Sequence, residues 1–211
     1  MRVVKEYEER KTQIVEVSER LFSTKGYANC TVADIVKAVE VAKGTFFYYF
    51  ATKEAVLDEI IRRRSEEIEA ACRQITMPQG YSMEYRFLAT IMQVNTVVGS
   101  KEQSVDMLHK TENALMHQKS MVALIRVLTP ILSEIVSENY DEEKYGFASE
   151  NIMIILSSTI VLLDEGCFDW DNRQKERILK SIISSASKLL GLREEQLSKE
   201  WRELCTRQQN M

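Results

Sequence analysis

The sequence contains few of the residues that interrupt helices. Its 211 residues include only seven glycines and two prolines, while Glu, Lys, Leu, Ile, Ala and Ser fill its long stretches. Because glycine and proline mark turns and break regular elements, their scarcity favours long helices joined by short connections. We therefore predict an all-α fold, in a chain long enough to bury a sizeable core.

Uncharged stretches are also too short to cross a membrane. The segment NIMIILSSTIVLL, residues 151–163, falls short of the roughly 18 to 20 residues that a helical span requires, and is typical of a buried helix. The start, MRVVKEYEERK, is charged and lacks the apolar segment of a secretion signal. We expect a cytoplasmic protein.

Patterns of a metal centre or an active site are missing. The four cysteines are scattered without a CxxC pair, so we expect reduced thiols. The two histidines, His109 and His117, lie eight residues apart with Glu112 near the first, whereas a metal site needs three or four converging ligands. No nucleophile, base and orienting group stand together at a recognisable spacing. We expect no metal, no cofactor and no catalysis.

Net charge is −4, which taken alone argues against a nucleic-acid partner. The charge is unevenly distributed, however. Residues 1–64 carry 12 Lys and Arg against 10 Asp and Glu, whereas the remainder carries 16 against 22. The amino-terminal third is therefore the part best suited to phosphate, although a difference of a few charges is also common on ordinary surfaces.

Four helices are predicted in the amino-terminal third. Apolar residues at helical spacing predict a helix over about residues 4–25 that Gly26 ends. Thr31 and Asp34 form a capping box for a short second helix, and a third begins near Lys43. Thr52 caps a long fourth helix. We place one domain at residues 1–52 and a second, larger helical domain at residues 53–211.

Further helices are predicted over about residues 81–98, 102–117, 120–137, 147–163, 173–190 and 194–207. The helix over residues 120–137 contains Pro130, which predicts either a kink or a restart capped by Thr129. Gly191 is placed to end the helix before it.

The segment KGTFFYYF contains five aromatic residues within a short helix. Phe46 and Phe50 are four residues apart and share a face, whereas Thr45, Tyr48 and Tyr49 lie on the opposite side. A short capped helix, a tight turn and a second helix with a polar aromatic outer face predict a helix-turn-helix that fits a DNA major groove. The alternative is a buried helix that is merely rich in rings.

Residues of about 10–57 resemble the DNA-binding region of the TetR family of transcriptional regulators. The segments LFSTKGY, TVADI, VAKGTFFYYF and TKEAVL occur in the family's order and spacing. The resemblance implies a dimer whose recognition helices enter successive major grooves of a pseudo-palindromic operator. It also implies a carboxy-terminal domain with a small-molecule pocket, and repression until a ligand binds.

Carried over residue by residue, the resemblance implies groove contacts from the third helix and phosphate contacts from the starts of the second and fourth helices. The DNA-binding residues so predicted are Thr31, Lys43, Gly44, Thr45, Phe47, Tyr48, Tyr49 and Lys53.

Three residues depart from the family pattern. Glu40 stands where the turn usually has glycine, so it must adopt an unfavourable backbone conformation or reshape the turn. Ala42 replaces the usual serine cap of the recognition helix, which costs about 1 kcal/mol. Phe47 replaces a tyrosine whose hydroxyl often reaches a phosphate in the family. These departures bear on the strength of DNA binding and not on the fold.

Arginines 62 to 64 allow two interpretations. The triplet could hold a phosphate, but it lies beyond the first two turns of a long helix and precedes SEE. A solvated face is the simpler interpretation.

No motif in the sequence identifies the residues that contact an effector. Candidates to line a pocket among helices five to eight are Tyr85, Met92, His109, Asn113, His117 and Cys167. Ordinary packing or exposure competes with ligand contact at each of them.

The helix over residues 147–163 is apolar on nearly all sides, with Ser157 and Ser158 allowing close approach. Paired with the helix over residues 173–190, it predicts a two-fold four-helix bundle between two copies of the chain. Burial within the monomer is the alternative.

Together these features predict a homodimeric, ligand-responsive transcriptional regulator, a repressor that binds a double-stranded DNA operator and is released by a small-molecule effector. Two alternatives remain. One is a small-molecule or partner-binding helical dimer with a vestigial helix-turn-helix, which predicts no salt-sensitive DNA binding. The other is an all-α enzyme, which predicts turnover of whatever occupies the pocket.

Overall fold

The computed structural model of the protein describes residues 2–76, 80–99, 111–138, 146–163 and 167–209. Throughout these ranges the regular structure is helical, with no strand. The predicted all-α class is confirmed. The described residues divide into two compact units, each with its own apolar core.

The first unit contains the amino-terminal helices and a later segment of the chain. Its helices are α1 (Arg2–Lys25), α2 (Val32–Val39), α3 (Lys43–Tyr49) and the first part of α4 (Lys53–Thr76). A 3-10 turn (Thr111–Asn113) and the start of α6 (Ala114–Ser137) complete it. Its core comprises fully buried side chains from each of these four amino-terminal helices: Ile14, Phe22, Ile35, Phe46, Val56 and Leu57.

The second unit contains α5 (Met83–Gly99), α7 (Ala148–Leu162), α8 (Asn172–Leu190), α9 (Glu194–Gln209) and the remaining parts of α4 and α6. Its fully buried core residues include Ile131, Leu132, Ile135 and Ile152. Asp171 and Gln174 form a capping box that starts α8, and Gly191 ends it at φ 68°. The predicted role of Gly191 is confirmed.

An ion pair with a buried carboxylate joins α5 to the segment before α9. Glu84, only 1% exposed, accepts hydrogen bonds from the main-chain N–H, Nε and Nη2 of Arg193 at 3.1, 2.9 and 3.0 Å. Burial raises the pKa of Glu84, but the bonds from Arg193 outweigh it and the pKa is lowered. The carboxylate thereby fixes α5 to the segment that starts α9.

The compact units divide elsewhere than after residue 52, where the domain boundary is predicted. The division falls between Glu66 and Glu67 inside α4, and between Ala123 and Leu124 inside α6. The reason is physical: the first turns of α4 bury Val56, Leu57 and Ile60 in the first unit's core. Residues 111–123 join the same unit although they are distant in sequence.

The helix α6 runs without interruption from Ala114 to Ser137, with Pro130 inside it. The predicted start at residue 120 and the predicted restart at Thr129 are wrong. Thr129 instead donates its hydroxyl to the Ile125 carbonyl oxygen at 2.7 Å, within the helix. Burial of Ile131, Leu132, Ile135 and Val136 stabilises the helix beyond the proline. Most of the helix predicted at residues 102–117 lies outside the described residues.

One described segment, Thr111–Ser137, is long and apolar enough to cross a membrane by length and composition alone. Its carboxy-terminal half supplies buried residues to the second unit's core, including Leu128 and Ile131. Core helices pass the same test, so the segment is weak evidence for a membrane span.

Candidate nucleic-acid interface

Thr31 and Asp34 start α2 by satisfying each other's main-chain groups. Thr31 Oγ1 accepts from the Asp34 N–H at 3.2 Å, and Asp34 Oδ2 accepts from the Thr31 N–H at 2.7 Å. Lys25 Nζ lies 2.8 Å from Asp34 Oδ1. Hydrogen bonds from Lys25 and Thr31 hold the pKa of Asp34 well below its usual range. The predicted capping box is confirmed.

Glu40 ends α2 in the left-handed conformation, at φ 59° and ψ 46°. Its N–H donates to the Lys37 carbonyl oxygen, and the Val41 N–H donates to the Val36 carbonyl oxygen. A side chain in this conformation costs about 1–2 kcal/mol relative to glycine. Of the two outcomes predicted for Glu40, the chain has the strained backbone, which keeps the turn into α3 tight.

Ala42 precedes α3 without a side-chain cap. Its main-chain oxygen accepts from the N–H groups of Thr45 and Phe46 at 2.9 and 3.2 Å, but its side chain makes no capping bond. The predicted loss of the cap is confirmed. Buried rings must therefore hold α3 in place.

The helix α3 has one buried face and one exposed face. Phe46 is fully buried and Phe50 is 5% exposed, while Tyr48 is 72% exposed. Tyr49 is half-buried and packs partly against the first unit's core. The split predicted between the phenylalanines and Tyr48 is confirmed, so α3 is anchored from one side and presents the other.

The exposed face of α3 combines a cation with an accessible ring and an open backbone. Lys43 Nζ lies 5.9 Å from the centroid of the Phe47 ring, which is 46% exposed. A Cβ added at Gly44 would meet nothing within 4 Å. Thr45 is half-buried beside them. This surface therefore has hydrogen-bond donors and exposed rings, and at Gly44 another molecule can approach the backbone closely. Such features are suited to contacts with base edges and phosphates.

Side-chain groups of Thr31 and Lys53 are already engaged within the protein. The Thr31 hydroxyl donates to Asp34 Oδ2 at 2.6 Å. Lys53 Nζ donates to the carbonyl oxygens of Tyr27 and Cys30, each at 2.7 Å, and lies 4.2 Å from the Tyr27 ring centroid. Both residues therefore stabilise the chain between α1 and α2. Their phosphate contacts remain predictions.

Arginines 62 to 64 are all bound to carboxylates of the first unit. Arg62 contacts Glu59 and Glu66, and Arg63 contacts Glu59. Arg64 Nη2 lies 2.7 Å from Glu19 Oε1. This arrangement agrees with the predicted charged surface and leaves the triplet engaged in ion pairs.

A second group of contacts fixes the chain between α1 and α2. Asn113 is fully buried, and its Oδ1 accepts from the Tyr27 N–H at 2.6 Å. The Glu112 carbonyl oxygen accepts from the Ala28 N–H at 2.8 Å. Lys119 of α6 pairs instead with two carboxylates of α4, Glu54 and Asp58, at 2.6 Å each. No local sequence signal indicates these contacts.

Tyr7, which is not among the predicted site residues, packs its ring against Tyr48 and Tyr49 of α3. A signal exists: Tyr7, Ile14 and Leu21 recur every seven residues along α1, which places them on one stripe.

The predicted effector residues fall on both compact units, and one of them lies outside the described residues. Tyr85 and Met92 lie on α5 in the second unit, where Met92 is buried and Tyr85 stacks on Tyr81 at 4.4 Å between ring centroids. Asn113 and His117 belong to the first unit, and Asn113 accepts the hydrogen bond from the Tyr27 N–H. Cys167 is exposed. His109 lies outside the described residues.

Among the residues that the structure describes, no group of three or more His, Cys, Asp or Glu side chains could hold a metal ion. Two cysteines in these ranges, Cys30 and Cys72, are buried thiols. Burial raises the pKa of Cys72 to about 11, which keeps this thiol neutral.

Two ranges of the sequence match known protein families. Residues 14–60 match the family described as bacterial regulatory proteins, tetR family. Residues 96–184 match the family described as the tetracyclin repressor-like C-terminal domain. The chain belongs to the TetR family of transcriptional regulators. TetR proteins bind DNA through a helix-turn-helix, are often repressors and are generally not enzymes.

Individual TetR relatives match parts of the chain. The HTH-type transcriptional repressor KstR2 of Rhodococcus jostii is 30% identical over 66 residues, 31% of this chain and 32% of its own length. The biofilm operon icaADBC negative transcriptional regulator IcaR of Staphylococcus aureus is 23% identical over 149 residues, 69% of this chain and 77% of its own length. The match therefore spans about a third of KstR2.

A solved structure extends the likeness to most of the chain. A TetR-family transcriptional regulator from Syntrophomonas wolfei superposes with a TM-score of 0.61 at 19% identity, covering 89% of this chain and 98% of the other. At this identity the likeness concerns the TetR fold alone.

Proposed function

We propose that the protein is a homodimeric, ligand-responsive TetR regulator that represses transcription from a pseudo-palindromic operator. One observation carries the proposal: α3 buries Phe46 and holds Tyr48 72% exposed beside Lys43 and Gly44. Polar aromatic surface on the second helix of a helix-turn-helix is suited to base edges in a major groove. Since the proposed partner is chromosomal DNA, the proposed location is the cytoplasm.

The proposed dimer forms through α7 and α8. A groove of about 240 Å³ lies between them, lined by apolar side chains and small serines: Ile154, Ile155, Ser158, Leu162, Ile178, Ser181, Ile182, Ser185 and Leu189. Ile154 is 57% exposed and Met153 is 46% exposed on the same helix. Apolar side chains exposed at a surface are typical of an interface. A second copy of the chain would bury the groove and the exposed side chains of α7 in a four-helix bundle.

Dimerisation is tested by sedimentation equilibrium of the wild type and Ile154→Glu. We expect the wild type to sediment as a dimer, and the buried carboxylate to shift Ile154→Glu toward monomer by at least tenfold in dissociation constant. Gln118→Glu adds the same charge at an exposed position outside the proposed interface and should remain dimeric. A wild-type monomer, or a dimer unaffected by Ile154→Glu, would contradict this interface.

In the proposed dimer the two α3 helices lie one DNA turn apart, about 34 to 36 Å, or near a multiple of that distance. The effector acts by population shift: it stabilises a conformer in which the spacing of the two α3 helices no longer matches the grooves. It releases DNA only to the extent that it binds this conformer more tightly. Tyr85, Met92, Asn113, His117 and Cys167 remain proposed effector contacts, as does His109.

The deciding experiment measures binding to the protein's own upstream DNA and to random duplex by fluorescence anisotropy over a salt series. We expect affinity that falls with salt and a preference of about a thousandfold or more for the operator. Tyr48→Ala should lower the preference, because its ring contacts bases, while affinity for random duplex stays the same. Tyr81→Ala is the matched control, since Tyr81 is a 51% exposed tyrosine of the second unit. Absence of salt-sensitive binding would favour the vestigial helix-turn-helix.

A further inference from the structure

Three tyrosines from two helices contact one another beside the exposed face of α3. The Tyr7 ring of α1 lies 4.7 Å from the Tyr49 ring at an interplanar angle of 37°, and 5.9 Å from the Tyr48 ring at 81°. The Tyr48 and Tyr49 rings lie 5.1 Å apart at 86°. We call Tyr7, Tyr48 and Tyr49 the tyrosine triad.

All three separations fall within the range of about 4.5 to 7 Å at which aromatic rings attract, in edge-to-face or tilted geometry. The members differ in burial: Tyr48 is 72% exposed, whereas Tyr7 and Tyr49 are half-buried. An exposed ring on a short helix would otherwise sample several rotamers. Contact with two neighbours restricts Tyr48 to the orientation that the triad allows.

We propose that Tyr7 is a positioning residue for operator recognition, an inference that rests on the proposed function. Its ring fixes the orientation of Tyr48 and Tyr49 before DNA binds. A ring already fixed loses less rotamer freedom when it meets a base, so the complex gains affinity without a new contact. Phosphate contacts dominate random binding and do not depend on that ring. Tyr7 therefore raises the preference for operator over random DNA.

The test compares Tyr7→Leu with Tyr7→Phe. Leucine keeps apolar volume and helix propensity but removes the ring, whereas phenylalanine keeps the ring. By anisotropy we expect Tyr7→Leu to lose about 2- to 10-fold in operator affinity, the cost of ordering one side chain, with random-duplex affinity unchanged. Tyr7→Phe should stay within about twofold of the wild type. Thermal unfolding verifies that each variant is folded.

Two further measurements separate positioning from simple packing. In protein carrying 3-fluorotyrosine, the 19F resonance of Tyr48, assigned with Tyr48→Phe, should move toward the free amino acid in Tyr7→Leu, while that of Tyr85 stays in place. On a Tyr48→Phe,Tyr49→Phe background the rings remain and Tyr7→Leu should still reduce the preference. On a Tyr48→Ala,Tyr49→Ala background it should have no further effect.

Several outcomes would overturn the inference. A Tyr7→Leu protein with wild-type preference, an unmoved Tyr48 resonance, or an equal loss on the alanine background would each show that Tyr7 does not act through the α3 tyrosines. If the wild type lacks operator preference, the proposed function fails and the inference fails with it. If the wild type is selective and only the Tyr7 results disagree, the proposed function stands alone.

Discussion

The main-chain N–H of Tyr27 donates to the side-chain Oδ1 of Asn113 across 2.6 Å, between residues 86 positions apart. Asn113 is fully buried, and the neighbouring Glu112 carbonyl oxygen accepts from the Ala28 N–H. The chain between α1 and α2 is thus held from outside the helix-turn-helix sequence.

Asn113→Ala should destabilise the first unit. It removes the acceptor of the buried Tyr27 N–H, which costs about 1–3 kcal/mol in the free energy of unfolding. Glu112→Ala is the control, because Glu112 contributes its main-chain oxygen and its side chain is exposed. Urea denaturation of both variants measures the difference. Equal stability of the two would show that the bond from Tyr27 contributes nothing.

Gly44→Ala should weaken operator binding without destabilising the protein. An added Cβ at Gly44 meets no protein atom within 4 Å, and alanine favours a helix by up to about 1 kcal/mol. In a groove, however, the methyl group would hold the backbone away from DNA, and we expect a loss of about fivefold or more. Anisotropy and thermal unfolding measure the two effects.

Gly26→Ala is the contrasting glycine variant. Gly26 has φ +88°, and an added Cβ would lie 2.7 Å from Glu112 Cβ. It should therefore lower stability, while Gly44→Ala should not. A destabilised Gly44→Ala would mean that its DNA-binding loss reflects folding.

Glu40→Gly should stabilise the protein by about 0.5–1 kcal/mol. Glycine removes the cost of the left-handed conformation at φ 59°, although its greater freedom in the unfolded chain offsets part of the gain. Glu40→Gln keeps the strained backbone and removes the charge, so it should gain nothing comparable. If chemical denaturation shows equal gains, the effect comes from charge and not from the backbone.

Lys53→Met should reduce stability as well as DNA binding. The ammonium group donates to the carbonyl oxygens of Tyr27 and Cys30, and losing these bonds should cost about 1–3 kcal/mol in unfolding free energy. The predicted phosphate contact requires more: the slope of log affinity against log salt should fall in magnitude by about 1. A salt series showing an unchanged slope would restrict Lys53 to its structural role.

Stability should fall with acid as Glu59 is protonated. Hydrogen bonds from Arg62 lower the pKa of Glu59 from 4.5 to about 2 against the opposing effect of burial, and Arg63 and Lys11 add to the lowering. Because the folded pKa lies below the unfolded one, this contribution is present above about pH 4.5 and is lost between there and about pH 2. Glu59→Gln should show a shallower decline across that window in thermal unfolding. An unchanged pH profile would contradict the assignment.

Features carried by neighbouring residues could be predicted from the sequence. The capping box of Thr31 and Asp34, the strain at Glu40 and the missing cap at Ala42 each depend on residues within about four positions. The burial of Phe46 against the exposure of Tyr48 follows from helical period alone.

Features that depend on distant residues could not be predicted. Nothing near Asn113 in sequence indicates its bond to Tyr27, and Lys119 reaches Asp58 across 61 positions. Of the two outcomes predicted for Pro130, a kink or a restart at Thr129, the restart is wrong. A proline signals a break locally, yet the burial of Ile131 and Leu132 stabilises a continuous α6.

The hydrogen bond between Tyr27 and Asn113 can form only after both residues have been synthesised. At about 5 to 20 residues per second, a ribosome takes about 4 to 17 s to make the 86 residues that separate them. Throughout that interval the nascent amino-terminal helices lack the acceptor for a buried N–H. We therefore expect the first unit to reach its full stability only after the ribosome has passed the start of α6, so a prematurely terminated chain that retains the whole helix-turn-helix would be less stable than the complete protein.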